Sequence, residues 1–109
     1  MTKRIKIVDY SDFPAGRDKN IDPFSGDRFR DEILLPALEA GKVEVSFSGV
    51  FACLPSFLDE AFAGLLRAGL SREHILQNLT FDETSEPTHQ EYIELIYQFI
   101  DEEAKTQKK

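Results

Sequence analysis

Residues 43–48 read Val-Glu-Val-Ser-Phe-Ser, a strict alternation of apolar and polar side chains. Only a strand places alternate residues on one face, so this segment predicts a half-buried β-strand. On both sides of it the period changes to that of a helix. Upstream, Phe29, Ile33, Leu34, Ala37 and Leu38 recur at three- and four-residue spacing, and downstream Leu58, Ala61, Phe62, Leu65 and Leu66 do the same. A strand held between two amphipathic helices cannot pair with a neighbour through a tight hairpin. It pairs across a helix, which makes the ladder parallel and the crossovers right-handed.

The rest of the chain fits that frame. Ile5, Ile7 and Val8 predict a first strand over residues 4–9, and Leu79-Thr80-Phe81 a short further one. Between Tyr10 and Phe24 lie Pro14, Gly16, Asn20 and Pro23, all turn formers. A loop of that length is either functional or hides a short strand. Ser25 is read as the N-cap of the first helix, with Asp27 in its first turn. Pro36 should kink or divide that helix, and Gly41 ends it. Ser56, after Pro55 and three residues before Asp59, is read as the cap of the second helix. Ser71 caps a short third helix, and Thr88 with Glu91 forms a capping box for the last. The apolar connection from Ser48 to Pro55 is expected to be packed. The expected fold is α/β, a small, mainly parallel sheet of about four strands with packed helices. It forms a single domain over residues 1–109, with 103–109 a frayed tail.

Composition narrows the function. Thirteen basic against 20 acidic residues leave a net charge of −7, which argues against nucleic acid as a partner. The single Cys rules out an intrachain disulfide. No apolar run approaches the ~20 residues of a membrane span, and no signal core follows the N-terminus, so the expected location is cytoplasmic. No metal site is expected: Cys53, His74 and His89 lack zinc spacing. Asp18-x-Asn20-x-Asp22 starts like a calcium loop, but Pro23 and Phe29 stand where Gly and Glu are needed. No cofactor is expected either, because neither a Gly-rich dinucleotide loop nor a Walker loop is present. Asp59 and Glu60 point about 100° apart on a helix and cannot act as a catalytic pair. No catalytic residue emerges, and the chain is read as a non-enzyme.

Three places carry binding potential. Arg17 with Ser25, Gly26 and Arg28 could hold an anion at a helix start. Ser56 opens a helix, where the dipole favours a phosphate. Asp59, Glu60 and Arg67 lie on the polar side of the second helix and form a candidate partner interface.

The blocks Ser25-Gly-Asp-Arg-Phe-Arg-Asp-Glu-Ile-Leu-Leu-Pro-Ala-Leu38, Val43-Glu-Val-Ser-Phe-Ser-Gly-Val50 and Ser56-Phe-Leu-Asp-Glu-Ala-Phe-Ala-Gly-Leu65 occur in that order. Together with Gly16-Arg17 they resemble the bacterial STAS-like domains of unknown function, over residues 5–81. That resemblance implies an α/β domain, similar to anti-sigma-factor antagonists, that acts by binding partner proteins. It implies a regulatory partner such as a histidine-kinase-like ATPase, which phosphorylates a serine at the start of the helix after a strand. The family's Asp-Ser-Ser-Gly run falls on Leu54-Pro55-Ser56-Phe57. The aspartate is absent and the acceptor position falls on Pro55, and a shift of one residue brings Ser56 into the role. Partner binding is therefore the stronger implication. The alternative function is an anion or small-molecule sensor at Arg17, Ser25 and Arg28.

Overall fold

The computed structural model describes residues 2–11, 13, 14, 16, 20, 24–82 and 86–107. The strands are β1 (Lys3–Lys6), β2 (Val43–Ser46) and β3 (Leu79–Phe81), all parallel, in the order β1-β2-β3. Four helices complete the fold: α1 (residues 26–40), α2 (residues 55–67), α3 (Arg72–Asn78) and α4 (Pro87–Gln107). The register sets Lys3, Val43 and Leu79 side by side, then Arg4, Glu44 and Thr80, then Ile5, Val45 and Phe81.

That register sorts the sheet into two unlike faces. Ile5, Val43, Val45 and Leu79 point inward and are buried in one core with Phe29, Leu34, Phe57, Phe62, Ile96 and Ile100. Phe62, Phe81 and Tyr97 link the two layers, with ring centroids 6.0 and 5.7 Å apart. The outer face carries Arg4, Lys6, Glu44 and Thr80, all exposed or half-exposed. On it the Asp82 carboxylate accepts from Arg4 at 2.9 Å and from the buried Ser46 hydroxyl at 2.9 Å, while its N–H donates to Val45. Asp82 thus ties all three strands together. Parallel sheets are usually covered on both faces. This one keeps a polar face towards solvent.

Among the described residues three strands stand where about four were expected. The described residues of the Tyr10–Phe24 stretch contain no strand, because their polar groups are spent elsewhere. The Tyr10 hydroxyl donates to the Ser25 carbonyl at 2.7 Å. The Gly16 carbonyl accepts from Gly26 at 2.8 Å, and that of Pro14 accepts from Leu54 at 3.1 Å. The loop is pinned to two helix starts rather than laid along a ladder. β1 is also shorter than expected, since residues Ile7–Asp9 form a 3-10 turn closed by two bonds of 2.9 Å to the Ile7 carbonyl.

Pro36 interrupts α1 in a specific way. The helix does not divide; it opens into a π turn over Arg30–Leu34, with the Leu35 N–H reaching back to Arg30. The wider turn sits just ahead of the proline, whose ring would otherwise crowd the Glu32 carbonyl. A second π turn, Asp59–Ala63, lies in α2, with the Gly64 N–H bonded to Asp59.

Two helix starts differ from expectation, for one reason. α2 begins with Pro55 at its first position and Leu54 at the N-cap, so Ser56 is not the cap. α4 begins at Pro87, so Thr88 is also one residue inside its helix. Proline has no N–H to satisfy and a preset φ, which suits the first helical residue. Ser25 and Ser71 are true caps: their hydroxyls accept from Arg28 at 3.4 Å and His74 at 3.0 Å.

Candidate functional site

In a parallel α/β sheet, the loops leaving the strands and the helix starts that follow gather at one end, where ligands and partners usually meet the fold. Here that end is built from the described residues between Ile7 and Phe24, after β1, and from residues 47–54 after β2. The bond between Leu54 and Pro14 stitches the two loops together. The starts of α1 and α2 are in direct contact as well. A Cβ on Gly26 would lie 2.9 Å from the Phe57 carbonyl and 2.9 Å from the Glu60 Cβ. Only glycine allows that approach.

This end exposes apolar surface. Phe13, Phe24, Phe51 and Leu54 are the large hydrophobic side chains exposed among the described residues, and all four lie here. Phe51 is 80% exposed. Its ring sits 5.9 Å from that of Phe13, while Phe24 meets Tyr10 edge-on at 5.8 Å. Val50 and Cys53 of the same connection are buried. The Ser48–Pro55 segment is thus anchored at Val50 and Cys53 and turns Phe51 outward, rather than packing throughout. A cluster of exposed aromatic side chains on a small domain marks a contact surface. Sequence reasoning missed it, although Phe51 lies between the turn formers Gly49 and Pro55, where a bulky side chain has few partners.

The Ser25 region is organised internally. Ser25 is fully buried, and its hydroxyl donates to the Asp27 carboxylate as well as accepting from Arg28. The Gly26 N–H is taken by Gly16. The Arg28 guanidinium pairs with Glu32 at 2.9 Å. Arg17, Asp18 and Asp22 lie outside the described residues. Ser56 sits half-buried at the second position of α2.

Asp59, Glu60 and Arg67 come together, but with neighbours inside the fold. Arg67 donates to Glu103 of α4 at 2.8 Å and to the Asp59 carbonyl at 3.2 Å; its guanidinium lies 3.6 Å from the Asp59 carboxylate and 3.8 Å from that of Glu60. Glu60 is also held by Arg30, a residue the sequence did not single out. The Arg30 guanidinium donates to the Glu60 carbonyl at 2.9 Å and to its carboxylate at 3.1 Å. The π turn makes that carbonyl available, because the Gly64 N–H bonds to Asp59 in its place. Arg30 lies over Gly64 so closely that a Cβ there would fall 2.3 Å from Nη1. Burial alone would lower the Arg30 pKa. The bonds and charges of Asp31 and Glu60 outweigh it and raise it.

Cys53 is buried, and desolvation pushes its thiol up to about 12. It stays protonated at neutral pH and is no nucleophile in this setting. His74 bonds the Leu38 carbonyl at 2.9 Å, and His89 packs against Phe47 and Tyr92. Among the described residues no cluster of three metal-ligating side chains occurs, and no helix is long and apolar enough to cross a membrane.

The chain was compared with protein families, with curated proteins and with solved structures. The curated proteins and the solved structures gave no match. A family model described as a STAS-like domain of unknown function (DUF4325) matches residues 25–89. That match begins at the buried cap of α1, takes in β2, both π turns and the Phe51 loop, and ends in the first turn of α4. It covers more than half of the chain, and the parallel sheet with packed helices is the architecture its description requires: the chain belongs to the STAS-like domain family of unknown function.

Proposed function

We propose that the chain is a non-enzymatic, cytoplasmic interaction module that binds a regulatory partner protein through its loop end. The observation that carries this reading is the exposed apolar cluster of Phe13, Phe51 and Leu54, on loops bonded to one another. Burying a Phe side chain against a partner is worth about 1.5–3 kcal/mol, so two aromatic anchors and a leucine can support specific binding. Asp59, Glu60 and Arg67 are engaged inside the fold, which favours the loop end as the contact surface.

The resemblance to anti-sigma-factor antagonists makes a histidine-kinase-like ATPase the partner to try first. Ser56 lies beside Leu54 at the start of α2, where the positive end of the helix favours a phosphate. We assign it as the phosphoacceptor if that ATPase modifies the chain. The anion-sensor alternative at Arg17, Ser25 and Arg28 is weaker, because the Ser25 hydroxyl and the Gly26 N–H already have protein partners.

The test is titration calorimetry with the ATPase encoded nearest to this gene, before and after incubation with ATP and mass spectrometry. A saturable complex, weakened when phosphate appears on Ser56, supports the reading. A phosphate on any other residue removes Ser56 from it. Hydrolysis of a small substrate by the chain alone would replace it.

A further inference from the structure

Among the described residues β1 is an edge strand, with β2 on one side. The Lys3 N–H donates to the Lys42 carbonyl at 2.9 Å. In a parallel ladder the N–H and C=O of one residue point to the same side, and successive residues alternate sides. Lys3 and Ile5 therefore bond towards β2, and the backbone groups of Arg4 and Lys6 point away from it. Among the described residues the N–H and C=O of Arg4 and the N–H of Lys6 have no hydrogen-bond partner, while the Lys6 C=O closes the 3-10 turn over Ile7–Asp9. They open onto a groove of about 240 Å³. Arg4, Ile5 and Lys6 form one wall, and Tyr10, Phe29 and Ile33 the other. The free edge thus combines unpaired backbone with an apolar floor.

The charge on this edge selects what can pair with it. Lys3, Arg4 and Lys6 make it basic on an acidic chain. Arg4 is paired with Asp82 and Glu44, whereas Lys3 and Lys6 form no ion pair among the described residues. One acid, Asp9, borders the groove. A second copy of β1 laid on this edge would set Lys and Arg against Lys and Arg, which is destabilising. The strand that already pairs with β1 shows the suitable chemistry. β2 reads Val43-Glu44-Val45, with Val45 beside Ile5 on the core face and Glu44 beside Arg4 on the outer face, 3.5 Å away.

We propose that the free edge of β1 takes a fourth strand from a partner protein, an extended segment alternating acidic and β-branched apolar residues. Its backbone pairs with the N–H and C=O of Arg4 and with the N–H of Lys6. Its apolar side chains cover Ile33 and Tyr10, the half-buried side chains of the groove, and its acidic side chains lie beside Arg4 and Lys6. This is strand addition, in which main-chain bonds give affinity and alternate side chains give specificity. It is separate from the loop-end contact and survives Phe51→Ser.

The test uses the full chain and a short synthetic peptide alternating Glu and Val, with a Lys and Val peptide as control. NMR-detected amide exchange is followed at each residue of β1. The Glu-Val peptide is expected to protect the amides of Arg4 and Lys6 and leave those of Lys3 and Ile5 as they are. Lys6→Glu is expected to weaken binding roughly tenfold, since it turns a favourable cross-strand pair into a repulsive one. Lys6→Pro removes an outward donor without touching the ladder to β2, and is expected to abolish the protection at Arg4. If Lys6→Pro does not fold, Lys6→Glu and the peptide control carry the test. Equal binding of the Lys-Val peptide, protection that appears with rising protein concentration alone, or no protection at Arg4 and Lys6 would each overturn the proposal.

Discussion

The seam between α1, α2 and α4 and the loop end beyond β1 and β2 treat water in opposite ways. At the seam, charged side chains pair with one another between the helices: Arg30, largely out of water, with Glu60, and the partly exposed Arg67 with Glu103 and Asp59. At the loop end, apolar side chains stay in water and lean on one another, Phe51 tilted against Phe13. The amino-acid sequence invites the reverse assignment, because charges suggest a surface and phenylalanines a core. Charge on a helix face can instead be the cement between helices when the partner charge comes from a distant part of the chain. The contact surface of a small domain is then where the fold leaves apolar groups uncovered.

Substitutions in the two regions should separate them, with Arg30 the most sensitive position. Arg30→Met leaves the Glu60 carbonyl and carboxylate without their shared donor. It is expected to cost about 2–3 kcal/mol in urea unfolding, the range for a lost charged hydrogen bond in a half-buried setting. Gly64→Ala drives a Cβ into the guanidinium and is expected to cost about 1–3 kcal/mol. In the Arg30→Met background the same change should cost nothing or stabilise slightly, because alanine suits a helix better than glycine. That non-additivity is the signature of direct contact. Ser25→Ala removes a buried cap and is expected to cost about 1 kcal/mol. Arg67→Ala breaks an ion pair that is partly in solvent and should cost less than about 1 kcal/mol, shrinking further in high salt. Phe51→Ser should change stability by less than about 0.5 kcal/mol, since its ring covers little of the core. A large loss there would mean that Phe51 belongs to the core and not to a contact surface.

The buried thiol gives a further check on the interior. The folded-state pKa of Cys53 is raised from 9.0 to about 12 by burial. A raised pKa favours the protonated form in the fold, so its contribution is complete below pH ~9. It is lost as the pH rises from there towards 12. Unfolding followed by denaturant from pH 7 to 11 should show falling stability above pH 9, and Cys53→Ala should reduce the part of that slope due to the thiol.

Much of the fold is legible in the sequence, because it rests on local periodicity. The alternation of Val43, Val45 and Phe47 set β2, and the spacing from Phe29 to Leu38 set α1. Ser25 and Ser71 are caps that the residue type announces. The misplaced starts at Ser56 and Thr88 were also legible: each follows a proline, and a proline at the first helical position moves the cap to the residue before it. The π turns divide in this respect. Pro36 forecasts a disturbance in α1, but the turn in α2 has no local mark. It accompanies Arg30, thirty positions away, which lies over Gly64 and draws the Glu60 carbonyl out. The exposure of Phe51 is equally non-local, since it depends on Val50 and Cys53 reaching the core first. Four strands were expected from the length of the Tyr10–Phe24 stretch, yet the backbone groups described there are used to hold helix starts.

The central claim is that the loop end, and not the charged seam, meets the partner. The most direct measurement is the affinity of Phe51→Ser and Arg67→Ala for the proposed ATPase partner, each with its melting temperature. Phe51→Ser is expected to weaken binding tenfold or more with its melting temperature unchanged, as for an aromatic anchor. Arg67→Ala is expected to bind as the parent chain does. Unchanged affinity for Phe51→Ser together with lost affinity for Arg67→Ala would place the contact on the seam and contradict the claim.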